Sequence, residues 1–329
     1  MMIRQFKILA AVCAVSLVTA CGGSGDEHLP PPAGTLAAEA ASRGFTSLVA
    51  AADKAGLVPA LSASSSSLTV FAPTDAAFTA LATTLGFPSA SAMVTALDGP
   101  TLAKILQYHV LPTKKLAGDL VAAGAKSTQP TLYTFEGAAS TLALDTSAGV
   151  KITDEVLNQV AVQTADVAAS NGVIHVIDKV LVPPGVLNLV QMAKLNPTFS
   201  VLVEAVGAAN LATTLSGTGP FTVFAPTNDA FTAALGELGL TKAQLLASPG
   251  LAGILTYHVV AGNVREANVV ALPEPASVIT VQNTAFTVGT NLAITDGRAR
   301  IARLVATDVI ASNGVIHVID KVLLPAVAP

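Results

Sequence analysis

At 329 residues the chain is long enough for about two domains of ordinary size, each with a core of its own. Apolar residues make up 52% and charged residues 12%, which excludes a disordered chain. Tryptophan is absent and aromatics are 4%, so the core is left to Ala, Val, Leu and Ile, and a net charge of −4 offers nothing to a polyanion such as nucleic acid.

The N-terminus carries Arg4 and Lys7 ahead of an apolar stretch, Ile8 to Val18, broken only by Ser16. Spanning a bilayer takes about 20 residues, and this stretch is shorter. Small residues then lead into Cys21, in the order Val-Thr-Ala-Cys. The pattern resembles a bacterial lipoprotein signal, in which residues 1–20 are removed and Cys21 is acylated. Cys13 leaves with the leader and lipid occupies Cys21, so no disulfide forms within the mature chain, although an exported location permits one. Loss of Arg4 and Lys7 leaves 15 basic against 21 acidic residues, a net charge of −6. Residues 21–35, rich in Gly and Pro, read as a flexible tether. Gly22, in place of an aspartate, resembles lipoproteins sorted to an outer membrane. The expectation is an exported protein anchored by lipid to a bacterial envelope, at the outer membrane, with the side it faces left open.

Beyond the tether the chain is written twice. A helical spacing at Phe45, Leu48, Val49 and Ala52 returns at Phe199, Leu202, Val203 and Val206. The segment Leu68–Leu81, LTVFAPTDAAFTAL, returns as FTVFAPTNDAFTAAL at Phe221–Leu235, and ILQYHVLP from Ile105 returns as ILTYHVVA from Ile254. ASNGVIHVIDKVL at Ala169–Leu181 recurs without change at Ala311–Leu323. A fixed order of matches with a slowly shrinking offset marks a tandem duplication, jointed near Val182–Asn188 by paired prolines. The domains are expected over 36–184 and 185–329.

Within each copy the early part carries helical periods and the late part is rich in Thr, Val and Ile. TVFAP reads as a short buried strand ending at Pro73 or Pro226. Thr74 or Asp75, and Thr227 or Asn228, then cap a helix whose inward face is Phe78, Leu81 and Leu85. Asp229 is a first-turn acid suited to the helix dipole. Leu102, Ile105 and Leu106 form another helical stripe before Tyr108 and His109. Asn171-Gly172 and Asn313-Gly314 predict two-residue hairpin turns with positive φ. Helices first and strands later predict an α+β fold rather than alternating βαβ units.

Four of the five histidines lie in repeated motifs: His109, His175, His258 and His317. His109 and His258 continue the apolar helical stripes, so packing at the edge of a core, with a bonded neighbour, outweighs a catalytic or metal role. Strand alternation puts His175 on the face of Val173 and Ile177 and turns Asp178 away, which excludes a His–Asp dyad within that strand; the same holds for His317 and Asp320. Asp75 could act as a base, but Asn228 at its counterpart cannot, which favours capping. No phosphate loop, zinc-protease motif, nucleophile elbow or calcium loop occurs. Asp296-Gly297-Arg298 is not an Arg-Gly-Asp tripeptide, and no role is assigned to it. No metal and no cofactor is expected.

The ordered set TVFAPT(D/N), YHV and NGVIHVIDKVL resembles the fasciclin domain, the family of insect fasciclin and periostin, over nearly all of the chain beyond the tether. The resemblance implies two tandem α+β domains, each a twisted β-wedge flanked by helices. It also implies adhesion at cell surfaces or in extracellular matrix, without catalysis. In animal members the region of the Tyr-His pair has been linked to integrin binding; the matching positions are Tyr108, His109 and Val110, and Tyr257, His258 and Val259. These six are a possible interaction surface or equally part of the core. Partners would be matrix, an envelope polymer, or a cell-surface protein or glycan, with the membrane reached through Cys21. The alternatives are a carrier of an apolar or carbohydrate ligand in a β-wedge cleft and, further off, a hydrolase using His109 or His258.

Overall fold

The computed structural model describes residues 33–270, 275–289 and 291–326. Cys21 and nearly all of the predicted tether lie outside them. The first copy opens with helices α1 (Leu36–Ser42), α2 (Thr46–Lys54) and α3 (Val58–Ser62), followed by strand β1 (Leu68–Pro73). Helices α4 (Asp75–Leu85), α5 (Ala90–Ala96) and α6 (Gly99–Tyr108) lead to the short β2 (Val110–Leu111) and to α7 (Ala117–Ala122). Strands β3 (Lys126–Phe135), β4 (Ala138–Asp145), β5 (Lys151–Thr153), β6 (Gln159–Ala169) and β7 (Gly172–Ile177) complete it.

The second copy repeats the plan. Helix α8 (Leu189–Leu195), a 3₁₀ turn at Pro197–Phe199, α9 (Ser200–Ala208) and α10 (Ala212–Leu215) precede β8 (Phe221–Pro226). Then come α11 (Asn228–Leu238), α12 (Lys242–Leu246), α13 (Leu251–Tyr257), β9 (Val259–Ala261) and α14 (Glu266–Val270). Strands β10 (Ala276–Ile279), β11 (Ala285–Val288), β12 (Ala293–Thr295), β13 (Ile301–Ala311) and β14 (Gly314–Ile319) close it. Among the described residues no single helix is long and apolar enough to cross a membrane.

Each copy builds a seven-stranded sheet, in the order β2-β1-β7-β6-β5-β4-β3 and its counterpart. The strands from β3 to β7 form an antiparallel meander, and the early strand β1 then pairs parallel with the last, Phe71 opposite His175. Six consecutive residues of β7 are buried, because a core lies on each face of the sheet there. Val70, Ala72, Ile174 and Val176 point into a core shared with the helices. Phe71 and Ile177 point the other way, onto Tyr108, Tyr133, Leu142 and Ile152. The alternation of period two thus joins a helical layer to a β-wedge through one pair of strands.

Both sheets belong to one compact unit beginning at Ala33. The helical core of the second copy takes in Val156 and Val182 of the first, with Leu85 packed against it. Polar contacts cross the same junction. Asn196 Nδ2 donates to Val156 O at 2.8 Å and Asn158 Nδ2 to Leu195 O at 3.0 Å. Ile310 N donates to Glu155 Oε1 at 2.6 Å, and Arg265 pairs with Glu136 through both guanidinium ends. The joint at Val182–Pro184 is buried, so the copies are docked through a packed junction.

Candidate functional site

The repeated histidines come to rest in two kinds of position. His109 ends α6 and His258 ends α13, each as the C-cap residue. The His109 ring meets Ile105 O through Nδ1 at 2.7 Å, and its Nε2 accepts from Leu181 N at 2.8 Å. His258 does the same with Ile254 O and Leu323 N, each at 2.8 Å. A proton on Nδ1 and a lone pair on Nε2 satisfy both contacts, so this tautomer is the one the geometry requires. Burial pushes both imidazoles down to about 4, against the opposing pull of the helix carbonyl, so they stay neutral near pH 7. The ring pins the strand exit after β7 or β14 to the last turn of the helix.

His175 and His317 stand on β7 and β14. Their Nε2 atoms donate to Lys115 O and Val264 O, and their Nδ1 atoms accept from the backbone N–H of Asp166 and Asp308. The acids come from the neighbouring strand, where Asp166 and Asp308 adopt φ of 59° and 55° at a bulge. Their carboxylates lie 4.0 and 3.9 Å from Nδ1, yet they are spent elsewhere, accepting from Ala117 N and Glu266 N at the starts of α7 and α14. All four histidines therefore have both ring nitrogens engaged by backbone groups. Among the described residues no group of three or more His, Cys, Asp or Glu is arranged to hold a metal.

Tyr108, His109 and Val110 are 2%, 1% and 5% exposed, and Tyr257, His258 and Val259 are 0%, 2% and 4% exposed. Of the two readings left open for these residues, the core is the one observed. The tyrosine hydroxyls reach Thr141 O and Ala285 O across the wedge. The interior of the first wedge is packed by Tyr108 with Tyr133, Leu142 and Ile152, and that of the second by Tyr257 with Phe286 and Ile294, while an open polar hollow of about 500 Å³ lies across β3–β6, lined by Lys126, Thr128, Asp145 and Gln159.

The caps are divided more finely than expected. Thr74 and Thr227 cap α4 and α11 through Ala77 N and Ala230 N. Asp75 and Asn228 sit in the first turn of those helices and reach across to cap α2 and α9. Asp75 accepts from the Thr46 hydroxyl and from Ser47 N, and Asn228 accepts from Val201 N at 3.0 Å. Burial acts against the Asp75 carboxylate, but the Thr46 and Ser47 hydrogen bonds outweigh it and hold its pKa below the usual range. An amide oxygen accepts as well as a carboxylate there, and the Asn228 amide also donates to Pro197 O at 2.9 Å, which a carboxylate could not.

The predicted positive-φ turn at Asn-Gly is not what the hairpin uses. Ala169 pairs with Gly172, so Ser170 and Asn171 make the turn and Gly172 opens β7. Neither Asn171 nor Gly172 has positive φ in the first hairpin, whereas Gly314 of the second stands at φ 157°. Glycine is required because a Cβ at position 172 would overlap Leu68 O, as one at 314 would overlap Phe221 O. Asparagine is required because its buried amide ties three segments together. Asn171 accepts from Leu36 N and donates to Leu61 O and Ala63 O; Asn313 does the same with Leu189 N, Leu215 O and Gly217 O.

Two further features had no sequence assignment. Asp154 is buried, accepts from Asn158 N and Val182 N, and is pushed up to about 7 by its burial. Its counterpart, Asp296 of the Asp-Gly-Arg segment, is less deeply desolvated, and against that burial the Leu324 N–H and Arg300 hold its pKa below the usual range. Position 158 is Asn where position 300 is Arg. Beside Asp154, Glu155 is likewise raised to about 7 by burial, against the donor Ile310 N. The second feature is an apolar cavity on the helical side of each sheet, of about 420 Å³ under α1–α3 and about 320 Å³ under α8–α10.

Residues 43–183 and 197–325 each match the fasciclin domain family. The chain belongs to the fasciclin domain family, as a tandem pair. One relative, the protein sll1483 of Synechocystis, is 45% identical over 143 residues, 42% of this chain and 74% of its own length. Transforming growth factor-beta-induced protein ig-h3 of Sus scrofa is 35% identical over 164 residues, 49% of this chain but 22% of that longer protein. Among solved structures, a fasciclin domain pair from the insect cell adhesion molecule fasciclin I aligns over 87% of this chain and 98% of its own, at 19% identity and a TM-score of 0.44. Both fasciclin domains here carry the mixed sheet and flanking helices described above.

A signal for the unassigned acids was present in the duplication. Asp154, Asp166 and His175 all recur 142 positions later as Asp296, Asp308 and His317. Equal spacing across that stretch marks it as a rigid block of each fasciclin domain. No pattern within the histidine's own strand carries that signal, because the acids stand on the neighbouring strand and the turn before it.

Proposed function

We propose that this tandem fasciclin protein is an exported lipoprotein, acylated at Cys21 and held at the outer membrane of a bacterial envelope. There it serves as a non-catalytic adhesion or matrix-interaction module. The observation that carries this reading is the state of the repeated histidines: each has both nitrogens committed to backbone partners. A general base or a metal ligand needs a free nitrogen, so the motifs serve the fold and function falls to the surfaces around them. The partner class is matrix, an envelope polymer, or a cell-surface protein or glycan. Two binding faces on one docked body gain avidity only where a partner presents sites at the matching spacing.

The test has two arms. The Cys21→Ser chain is screened against matrix proteins, glycans and envelope polymers, and attachment is compared between the parent cell and a deletion strain. Binding to one class, together with reduced attachment, is expected; no binding and unchanged attachment sink the adhesion reading. Cell fractionation of the unaltered chain checks the anchor, which fails as an assignment if Cys21→Ser leaves the protein in the same membrane fraction.

A further inference from the structure

The two apolar cavities occupy the same place in each domain and are lined by matched residues: Leu48, Val70 and Ile174 in the first, Leu202, Val223 and Ile316 in the second. Most differences in the lining exchange one apolar residue for another, with Lys194 standing where the first cavity has Ala41. Ala37 and Ala52 of the larger cavity correspond to Val190 and Val206 of the smaller, and the added methyl groups fit the fall from about 420 to about 320 Å³. Close packing is the rule in protein interiors. An apolar cavity of roughly 150 Å³ stays dry and takes up benzene, and both cavities here are larger. They fall within the range of about 300–1,000 Å³ typical of small-molecule sites.

Hydrogen-bonding capacity inside is minimal. The His109 and His258 rings touch the cavities, but their nitrogens are spent on backbone groups. Water would find few partners there, and a sugar would lose its hydrogen bonds on entry. The remaining polar contributors are Gln107 in the first cavity and Lys194 in the second. Lys194 is exposed and has no ion pair among the described residues, so its ammonium stands free at the edge of an apolar slot.

We propose that each domain binds one long-chain fatty acid, its hydrocarbon tail in the cavity between the N-terminal helices and the sheet, with the carboxylate paired to Lys194 in the second domain. This goes beyond the adhesion reading and stands independently of it. It places the apolar ligand on the helical face of the sheet rather than within the β-wedge. Tail burial supplies the affinity in both sites, and the cation makes the second site selective for an anionic head group.

The test uses the full chain carrying Cys21→Ser, delipidated and titrated with cis-parinaric acid, a fluorescent polyene fatty acid. Two probe molecules per chain are expected, displaced by palmitate and not by glucose. Val49→Phe and Val203→Phe, at half-buried lining positions, should each lower the stoichiometry to one. Lys194→Glu should weaken one of the two sites about tenfold and leave the other unchanged. Circular dichroism melts verify that each variant is folded, and native mass spectrometry of the unfilled chain with palmitate reads stoichiometry without any cavity variant. Absence of binding by the unfilled chain overturns the proposal, as does binding that persists at two per chain in a folded Val49→Phe/Val203→Phe variant.

Discussion

Acidification should act differently on the two domains, because a buried aspartate at the same place in each meets opposite surroundings. In the second domain His258 is lowered from 6.5 to about 4 by burial. Its unfolded form therefore takes up a proton first, and stability present above pH 6.5 is lost as pH falls toward 4. Between pH 7.5 and 5 the loss is about 2 kcal/mol. Asp296 is held below its ordinary 3.8 and contributes no change in that interval. In the first domain His109 carries the same loss, from 6.5 to about 4. Asp154, raised from 3.8 to about 7, works the other way: stability is fully present below 3.8 and lost as pH rises through 7. Lowering the pH from 7.5 to 5 regains roughly 2–3 kcal/mol, which offsets the histidine. Glu155, also near 7, bonds across the junction to Ile310 N, so its titration is common to both domains and leaves their difference. Hydrogen exchange read by mass spectrometry, corrected for the intrinsic pH dependence, should show β14 losing protection relative to β7 on acidification, by roughly 2–3 kcal/mol. In Asp154→Asn that difference should vanish, with β7 following β14 over the same interval. Equal behaviour of the two domains, or an unchanged β7 profile in Asp154→Asn, would refute the reasoning.

Other outcomes follow from packing and capping. Asp75→Ala and Asn228→Ala remove a cap from α2 and α9 respectively and should each cost about 1 kcal/mol in thermal unfolding, whereas Asn228→Asp keeps the acceptor for Val201 N but loses the donor to Pro197 O and should cost about 1 kcal/mol at pH 7. Gly172→Ala and Gly314→Ala drive a methyl group into a strand carbonyl and should abolish soluble expression; Gly118→Ala, with open space around it, should not. Asn171→Ala leaves a buried N–H and two carbonyls to find new partners, and by about 1–3 kcal/mol for each unsatisfied group it should be among the most damaging single changes in urea melts. Asn313→Ala should match it, since the bonds are repeated.

Duplication, helical stripes followed by β-rich stretches, and the capping residues could all be read from residue order alone, because each is a local pattern of period, offset or turn chemistry. Leu102, Ile105 and Leu106 declared a buried helix face, and the thirteen repeated residues declared a block kept whole. The parallel pairing of β1 with β7 could not be read, since it joins segments about a hundred residues apart and leaves no local trace. The same is true of what surrounds a side chain. Tyr108 and His109 read equally as surface or core until the wedge closed over them. Asp154 and Asp296 differ through a neighbour four positions on, Asn158 against Arg300, which residue order already shows, but that both carboxylates are buried, and how deeply, is decided by the fold. Asn-Gly signalled a hairpin correctly, but the first hairpin turns without positive φ, and in both the glycine answers a strand carbonyl that only tertiary packing places against it. The apolar cavities exist because three short helices do not fill the sheet they cover, a property of assembled volumes that no residue pattern carries.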